Sequence, residues 1–438
     1  MRRCAKNHAR NTGATMPTVA IVDLNSFYCG TETLFQPWLR GKAVVAASNN
    51  DGCVVARNDH AKALKIKMGQ PVFELKELMA RGEVIVFSSN YALYQSMSNR
   101  FMAILDELAP KIAPYSVDEC FCELSGVTDP EAWARQARDI IQSRIGLGVG
   151  IGIAQTKTLA KLANWAAKKW KIKTGCVVDL RDAERREKLL RYAPVNEVWG
   201  IGSALTKRLK QDFGIHTAWD LAMADPKHLR RHLSVNVERT ARELGGTPCF
   251  PFDEGGPERK QMIISSKSFG EKIFSLNDLE SAVAGFVTVA SLKLRSQQSM
   301  ANCIQVFANT SGFSRGEQYR GTRIVALPYP TNDSRDLLSA ALTGLRHLYR
   351  PGPAYAKAGV ILSQFVESAG ITDDLFAPKP RAKSAELMRV LDAINAKQGR
   401  GTIRLARDKG EGAWSMRREL LSEAYTTSWK GLPKARCS

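Results

Sequence analysis

The chain has 438 residues, 44% of them hydrophobic, which suits a folded protein of roughly two to four domains. Lys and Arg total 63 against 43 Asp and Glu, a net charge of +20, and this favours polyanionic partners, nucleic acid before acidic membrane surfaces. Nine cysteines without a C-x-x-C pair exclude zinc-ribbon spacing and fit a reducing cytosol better than a disulfide framework.

No apolar run approaches the roughly 18 residues needed to span a bilayer. The start, MRRCAKNHARNTGAT, is basic but lacks the apolar stretch of a secretion signal. Residues 1–17 therefore read as a disordered arm or a start-site extension, and the protein reads as cytoplasmic.

Residues 18–22 (TVAIV) are β-branched, predict a short buried strand, and end at Asp23. Strands follow at 42–47, 54–56 and 84–88, with short helices at 61–64 and 73–79. Apolar residues at helical spacing predict an amphipathic helix over 91–108. Pro110 and Pro114 bracket the next strand, and 119–124 continues after a turn. Residues 131–145 predict a helix, 147–153 a strand, 156–170 a basic helix and 176–180 a strand. Without strict βα alternation, this is an α+β pattern.

From 182 to about 246 the pattern is helical, and 247–261 is rich in Pro, Gly and charge, as a linker is. Strands at 262–269, 303–309, 322–327 and 355–365, with helices at 278–297 and 334–349, predict a second α+β domain. Residues 366–438 form a tail in which, from Lys379 onward, 14 basic residues face 6 acidic ones.

Three carboxylates draw attention. Asp23 closes a buried strand, and SVDEC places Asp118 beside Glu119. Neighbours on a regular strand point to opposite faces, so both serve one site only at a hairpin tip or distorted strand end. An acid at a strand end also simply meets solvent. Converging carboxylates repel unless cations lie between them, and Mg²⁺ is commonly held by a few carboxylates plus substrate phosphates. A pair of such ions can activate an attacking oxygen and stabilise a leaving one.

The segments IVDLNSFYCGTE, SNNDGCVVARNDHAKALKIKMG, FSSNYALYQSMSNR, YSVDECFCELSGV and VGIGIAQTKTLAKLANWAAKKW resemble, in order, those of Y-family translesion DNA polymerases of the UmuC type. The resemblance runs from about residue 18 to near the end. It implies a multidomain α+β fold, the right-hand polymerase: palm at 18–34 and 89–181, fingers at 35–88, a thumb with a helix-hairpin-helix at 182–246, a little finger at 262–365, and a tail at 366–438 for partner binding. It implies error-prone, template-directed nucleotidyl transfer with two Mg²⁺ ions, held by Asp23, Asp118, Glu119 and the Leu24 carbonyl. Tyr28 matches the steric gate that excludes a ribose 2′-hydroxyl, whereas Phe27 reads as core. Lys62 and Lys168 match triphosphate-binding positions; Asp59 departs from the family, and no phosphate role is carried onto it.

The segment 157–173 holds six lysines and no acid, and apart from Lys168 they read as a solvated helix face. VWGIG followed by a basic helix resembles the family's helix-hairpin-helix, where Gly200 and Gly202 let backbone amides approach a phosphate and Lys207 and Arg208 add charge. Lys267, Arg295 and Arg323 are candidate phosphate contacts of the little finger. His228 and His232 read as a surface pair.

The family's partners are primer–template DNA, dNTPs, a UmuD′-like dimer and a RecA-type filament. Its tail also carries a sliding-clamp motif, of which Leu375 and Phe376 keep only the apolar pair. Two other readings remain open on the residues alone: a catalytically silent DNA-binding scaffold, and a hairpin-bearing nuclease or glycosylase using the same carboxylates.

Overall fold

The computed structural model describes residues 17–252, 259–312, 317–367, 381–410, 412 and 414–429. The N-terminal arm and the clamp-like Leu375–Phe376 pair fall outside them. The chain divides into two compact units. One comprises Met1–Ala47, Cys53–Gly256 and Leu420–Ser438, and the other Ser48–Gly52 and Pro257–Glu419.

The first unit begins β1 (Val19–Leu24), α1 (Phe27–Phe35), β2 (Ala43–Ala47), β3 (Val54–Arg57), α2 (Asp59–Ala63), α3 (Lys76–Ala80), β4 (Val84–Ser88) and α4 (Tyr91–Leu108). It continues β5 (Lys111–Pro114), β6 (Glu119–Glu123), α5 (Pro130–Ile145), β7 (Val149–Ala154), α6 (Lys157–Lys169), α7 (Lys171–Thr174) and β8 (Val177–Asp179). The helices α8 (Ala183–Tyr192), α9 (Ser203–Phe213), α10 (Ala218–Met223), α11 (Pro226–His232) and α12 (Val235–Leu244) follow. The stretch read as entirely helical carries no strand among its described residues.

Five strands form one sheet in the order β5-β6-β1-β7-β8, and three form another, β3-β2-β4, which leaves β4 at an edge. The period of two along β1 splits its side chains between two cores. Ala20, Val22 and Leu24 pack with Leu93, Met97 and Phe101 of α4 and Ala137 and Ile141 of α5. Val19 and Ile21 pack with Leu159 and Ala163 of α6. Asp23 is next in that second set, so the alternation carries it to the α6 side.

Glycine decides how closely α6 lies on β7. A Cβ on Gly152 would fall 2.2 Å from the Ala160 carbonyl oxygen and the Asn164 nitrogen, and one on Gly150 would fall 2.6 Å from Asn164 Oδ1. Only hydrogen there lets the helix backbone approach the strand.

The second unit holds β9 (Ile263–Ile273), α13 (Leu276–Ser296), β10 (Ser299–Thr310), β11 (Arg320–Thr331), α14 (Ser334–Leu348), β12 (Tyr355–Glu367) and α15 (Ser384–Gln398). Its sheet runs β11-β10-β12-β9, and Val283, Val287, Leu337 and Ala341 of α13 and α14 pack against Ile304, Val306, Val360 and Leu362. The strands are longer than the sequence pattern suggests.

The region after β12 is more than an appendage. Met388 of α15 is buried, Asp392 receives the Arg295 guanidinium at 2.7 Å, and the Trp414 ring meets Phe269 at 5.9 Å. Residues 420–428 then belong to the first unit. Among the described residues no helix is long and apolar enough to cross a membrane.

Candidate active site

The site is built on a row of three residues across the larger sheet. Asp23 pairs with Glu119 on β6 and with Gly150 on β7. Cross-strand partners share a face, so the two carboxylates lie side by side. Asp118 stands in the bend between β5 and β6, where its carbonyl accepts from Leu24 N at 2.9 Å and its side chain accepts from Ser116 Oγ at 2.6 Å. The doublet therefore does lie at a hairpin tip, as serving one site requires. Among the described residues no three acids, histidines or cysteines are drawn into a ready-made metal cage.

Helix α6 supplies the counter-charge. Lys168 Nζ pairs with Asp23 Oδ1, Asn164 Nδ2 donates to Asp23 Oδ2 at 3.1 Å, and Lys161 Nζ reaches both oxygens of Glu119 at 2.8 Å. Lys157, on the same helix face, donates to the Pro251 carbonyl at 2.8 Å. Residues three, four and seven apart lie on one side of a helix, and here that side faces the sheet.

This corrects the reading of the lysine cluster as a solvated face for Lys157 and Lys161, whereas Lys169 and Lys173 are exposed. Lys169 lies 4.7 Å from the Trp165 and Tyr192 ring centres, and Lys171 binds Asp59 at 2.6 Å. Lys161 and Asn164 are site residues that the sequence reading passed over. Their spacing from Lys168 was the available signal.

The acids differ in charge state. Burial pushes the Asp23 carboxyl up to about 7; Lys168 opposes this, while the adjacent Glu119 adds to it. Burial also raises Glu119, but the Lys161 ammonium outweighs it and holds that group below the ordinary range. Each acid of the row is thus matched by one lysine, yet for Asp23 burial outweighs that ammonium. Asn164 Oδ1, buried beside Asp23, also lacks a partner among the described residues. An oxygen-rich site of this kind, with adjacent carboxylates and an unpartnered amide oxygen, suits a hard divalent cation.

Tyr28 lies in the first turn of α1, half-buried, its ring stacked on Tyr94 at 4.2 Å and 15°. Burial raises its hydroxyl pKa, and the charges of Tyr91 and Asp118 add to the rise, which ties this ring to the carboxylate site. Phe27 is buried in the core, 3% exposed.

Lys62 is held differently. Its ammonium binds Asp59 at 2.8 Å, and Asp59, drawn down to about 2 by Lys171 and Lys62, links α2 to α7. The departure at Asp59 therefore has a structural use.

Among the nucleic-acid candidates, Gly200 adopts φ +86° and Gly202, at the start of α9, has open space around it. Lys207 and Arg208 are exposed, and Arg208 also lies 3.6 Å from Asp212. The His228 and His232 rings lie 4.2 Å apart, tilted by 40°, beside Phe213.

In the second unit, Arg295 is not a phosphate contact. It forks onto Asp392 and donates to the Asn332 carbonyl at 2.8 Å. Lys267 and Arg323 are exposed, but on the outer strands β9 and β11, in register with Ala358 and Val306 of the helix-covered face. The opposite face carries Arg320, Asn309 and Lys357 in one register row, and both basic residues are exposed.

Residues 22–165 match the impB/mucB/samB family, 260–375 its C-terminal domain, and 385–435 a domain of unknown function, DUF4113. Protein UmuC of Salmonella typhimurium is 45% identical over 418 residues, 94% of this chain and 99% of the relative. The chain belongs to this family. DNA polymerase IV of Desulfatibacillum aliphaticivorans is 26% identical over 87% of this chain and 94% of its own. A chimera of the Y-family DNA polymerases Dbh and Dpo4 superposes with a TM-score of 0.61 at 19% identity, covering 80% of this chain and 100% of its own. The fold is that of the Y-family polymerases.

Proposed function

We propose that this UmuC-family chain is an error-prone, template-directed DNA polymerase that extends primers across damaged bases. The observation that supports it is the row Glu119–Asp23–Gly150, which sets two carboxylates side by side, each matched by a lysine from one helix. Asp23, Asp118, Glu119 and the Leu24 carbonyl would hold Mg²⁺. When bound, Mg²⁺ supplies the charge that favours attack of a primer 3′-hydroxyl on the α-phosphate of a dNTP and departure of pyrophosphate.

The chain's own groups do the positioning. Lys168 and Lys161 would supply positive charge for the triphosphate beside the acids, and Lys62 would add charge from α2. The Tyr28 ring lies under the sugar and leaves no room for a 2′-hydroxyl. Asn164 holds the Asp23 carboxylate beside Glu119 through its Nδ2 hydrogen bond.

Nucleic acid is gripped through phosphates, without base readout, by the amides at Gly200 and Gly202, by Lys207 and Arg208, and by the Arg320–Lys357 row. Lys267 and Arg323 add charge at the sheet edges. The family's UmuD′-like dimer and RecA-type filament are proposed partners of the C-terminal region, and a sliding clamp of Leu375 and Phe376. The chain acts in the cytoplasm.

Primer extension opposite an abasic template, with and without Mg²⁺, tests the activity. Extension that needs dNTPs and Mg²⁺ is expected. Strand cleavage would favour the nuclease reading, and binding without chemistry the silent scaffold.

A further inference from the structure

The edge strand β4 is covered by the chain's own C-terminal segment. Ser88 N donates to the Leu420 carbonyl at 2.9 Å, Leu420 N donates to Ser88 Oγ at 3.0 Å, and Ser88 bridges Leu421 in parallel. Pairing of this kind satisfies backbone groups that an exposed edge leaves open. Next along, Asn90, whose side chain caps α4 by accepting from Leu93 N, donates to the Ser422 hydroxyl at 3.1 Å. Thr426 Oγ1 donates to Ser96 Oγ at 2.9 Å, and the Tyr425 ring stacks on Phe35 at 4.7 Å and 7°. The segment thus touches α4 at its start and α1 at its end.

Between these contacts lies a buried acid. Glu32, one turn after Tyr28 on α1, is 0% exposed. Its Oε1 accepts from the Tyr94 hydroxyl at 2.7 Å and from Ser422 Oγ at 3.1 Å, and its Oε2 has no partner among the described residues. Tyr94, 1% exposed, is the ring on which Tyr28 stacks. An unbroken chain of contacts runs from the C-terminal segment through Ser422, Glu32 and Tyr94 to Tyr28.

We propose that residues 420–426 act as a strap that fixes Tyr28 through the positioning residues Ser422, Glu32 and Tyr94, and so sets the discrimination between deoxyribonucleotides and ribonucleotides. This rests on the reading of Tyr28 as the gate. A ring excludes a hydroxyl only if it cannot step aside, and a displacement near 1 Å is enough to alter such selection. Two hydroxyls sharing one buried carboxylate oxygen hold Tyr94 in place, because a buried acid left unsatisfied is costly. Burial keeps the Glu32 carboxyl above its ordinary range, and the two hydroxyl donors oppose that rise. The segment lies within the domain of unknown function at 385–435, which gains a task in nucleotide selection.

Single-nucleotide insertion kinetics on the full chain test this, as the ratio of kcat/KM for a dNTP to that for the matching rNTP. Tyr28→Ala reports on the gate itself and should collapse the ratio. Ser422→Ala and Glu32→Leu should each lower it by about tenfold, the worth of one buried hydrogen bond, mainly through a lower KM for the ribonucleotide. Glu32→Gln, whose amide oxygen still accepts from both hydroxyls, should restore most of it. Ser422 is only half-buried, so its variant keeps the test open if Glu32→Leu fails to fold. An unchanged ratio in Ser422→Ala, with Tyr28→Ala collapsing it, would overturn the strap and leave the gate standing. No effect of Tyr28→Ala would overturn both.

Discussion

Two buried aspartates, one in each unit, show how the same side chain is put to different use. Asp333, at the start of α14, is 1% exposed. It receives the forked Arg335 guanidinium, with Nη2 at 2.6 Å, together with the Arg335 N–H at 2.8 Å and Ser384 Oγ at 2.5 Å. Burial pushes its carboxyl up, but these donors outweigh burial and hold it below the ordinary range. Asp23, 8% exposed, has one ammonium, one amide and a neighbouring acid, and is pushed up to about 7. A planar fork satisfies a carboxylate for good. A single lysine leaves it open to a stronger cation.

The largest contrast should come from neutralising each acid. Asp23→Asn is expected to lower kcat for primer extension by about 10³-fold or more, as loss of a metal-binding carboxylate does, without loss of thermal stability. Asp333→Asn should lower Tm while keeping kcat per folded molecule. If Asp23→Asn merely destabilised the protein, the two aspartates would be alike and the contrast would be broken.

Removing the cation beside Asp23 is a smaller perturbation. Lys168→Ala should raise the dNTP KM by about tenfold, the lower range for a charge-assisted hydrogen bond, with little change in DNA affinity. An unchanged KM would make Lys168 only a structural partner of Asp23.

The pH response sharpens the contrast further. The Asp23 carboxyl lies at about 7 against an ordinary 3.8, so its contribution to metal-free stability is fully present below the ordinary value and is lost as pH rises through 7. Asp333 has the opposite sign: its contribution is present above the ordinary carboxylate range and lost on acidification. Melting curves of metal-free protein between about pH 5 and 8 should show Tm falling toward alkaline pH by several degrees. That slope should vanish in Asp23→Asn, and a slope retained there would assign it to another group.

The smallest effects concern DNA affinity. Arg320→Ala and Lys357→Ala should each reduce the salt slope of DNA binding by about one, whereas Arg295→Ala should leave the slope and lower Tm. A reduced slope in Arg295→Ala would restore it as a phosphate contact.

Much of this was legible in the sequence, and the rest fails for identifiable reasons. Strand alternation and the SVDEC doublet were enough to bring the acids into consideration, because β-pairing needs only period and register. Lys157 and Lys161 were misjudged because the helix orientation depends on Gly150 and Gly152, which let α6 lie against the strand and turn them inward beside Lys168. Arg295 looked like an exposed charge because its partner, Asp392, lies 97 residues further along. The strap was invisible for a similar reason. Ser422 has no periodic pattern, and its role appears only where it meets Glu32.

Binding of Mn²⁺, counted by electron paramagnetic resonance in the presence of primer–template and a non-hydrolysable dNTP, tests the Asp23–Glu119 site most directly. Wild-type protein is expected to bind about two ions per chain, and Asp23→Asn fewer, with DNA still bound. Equal ion counts in the two proteins would contradict a cation site at Asp23 and Glu119.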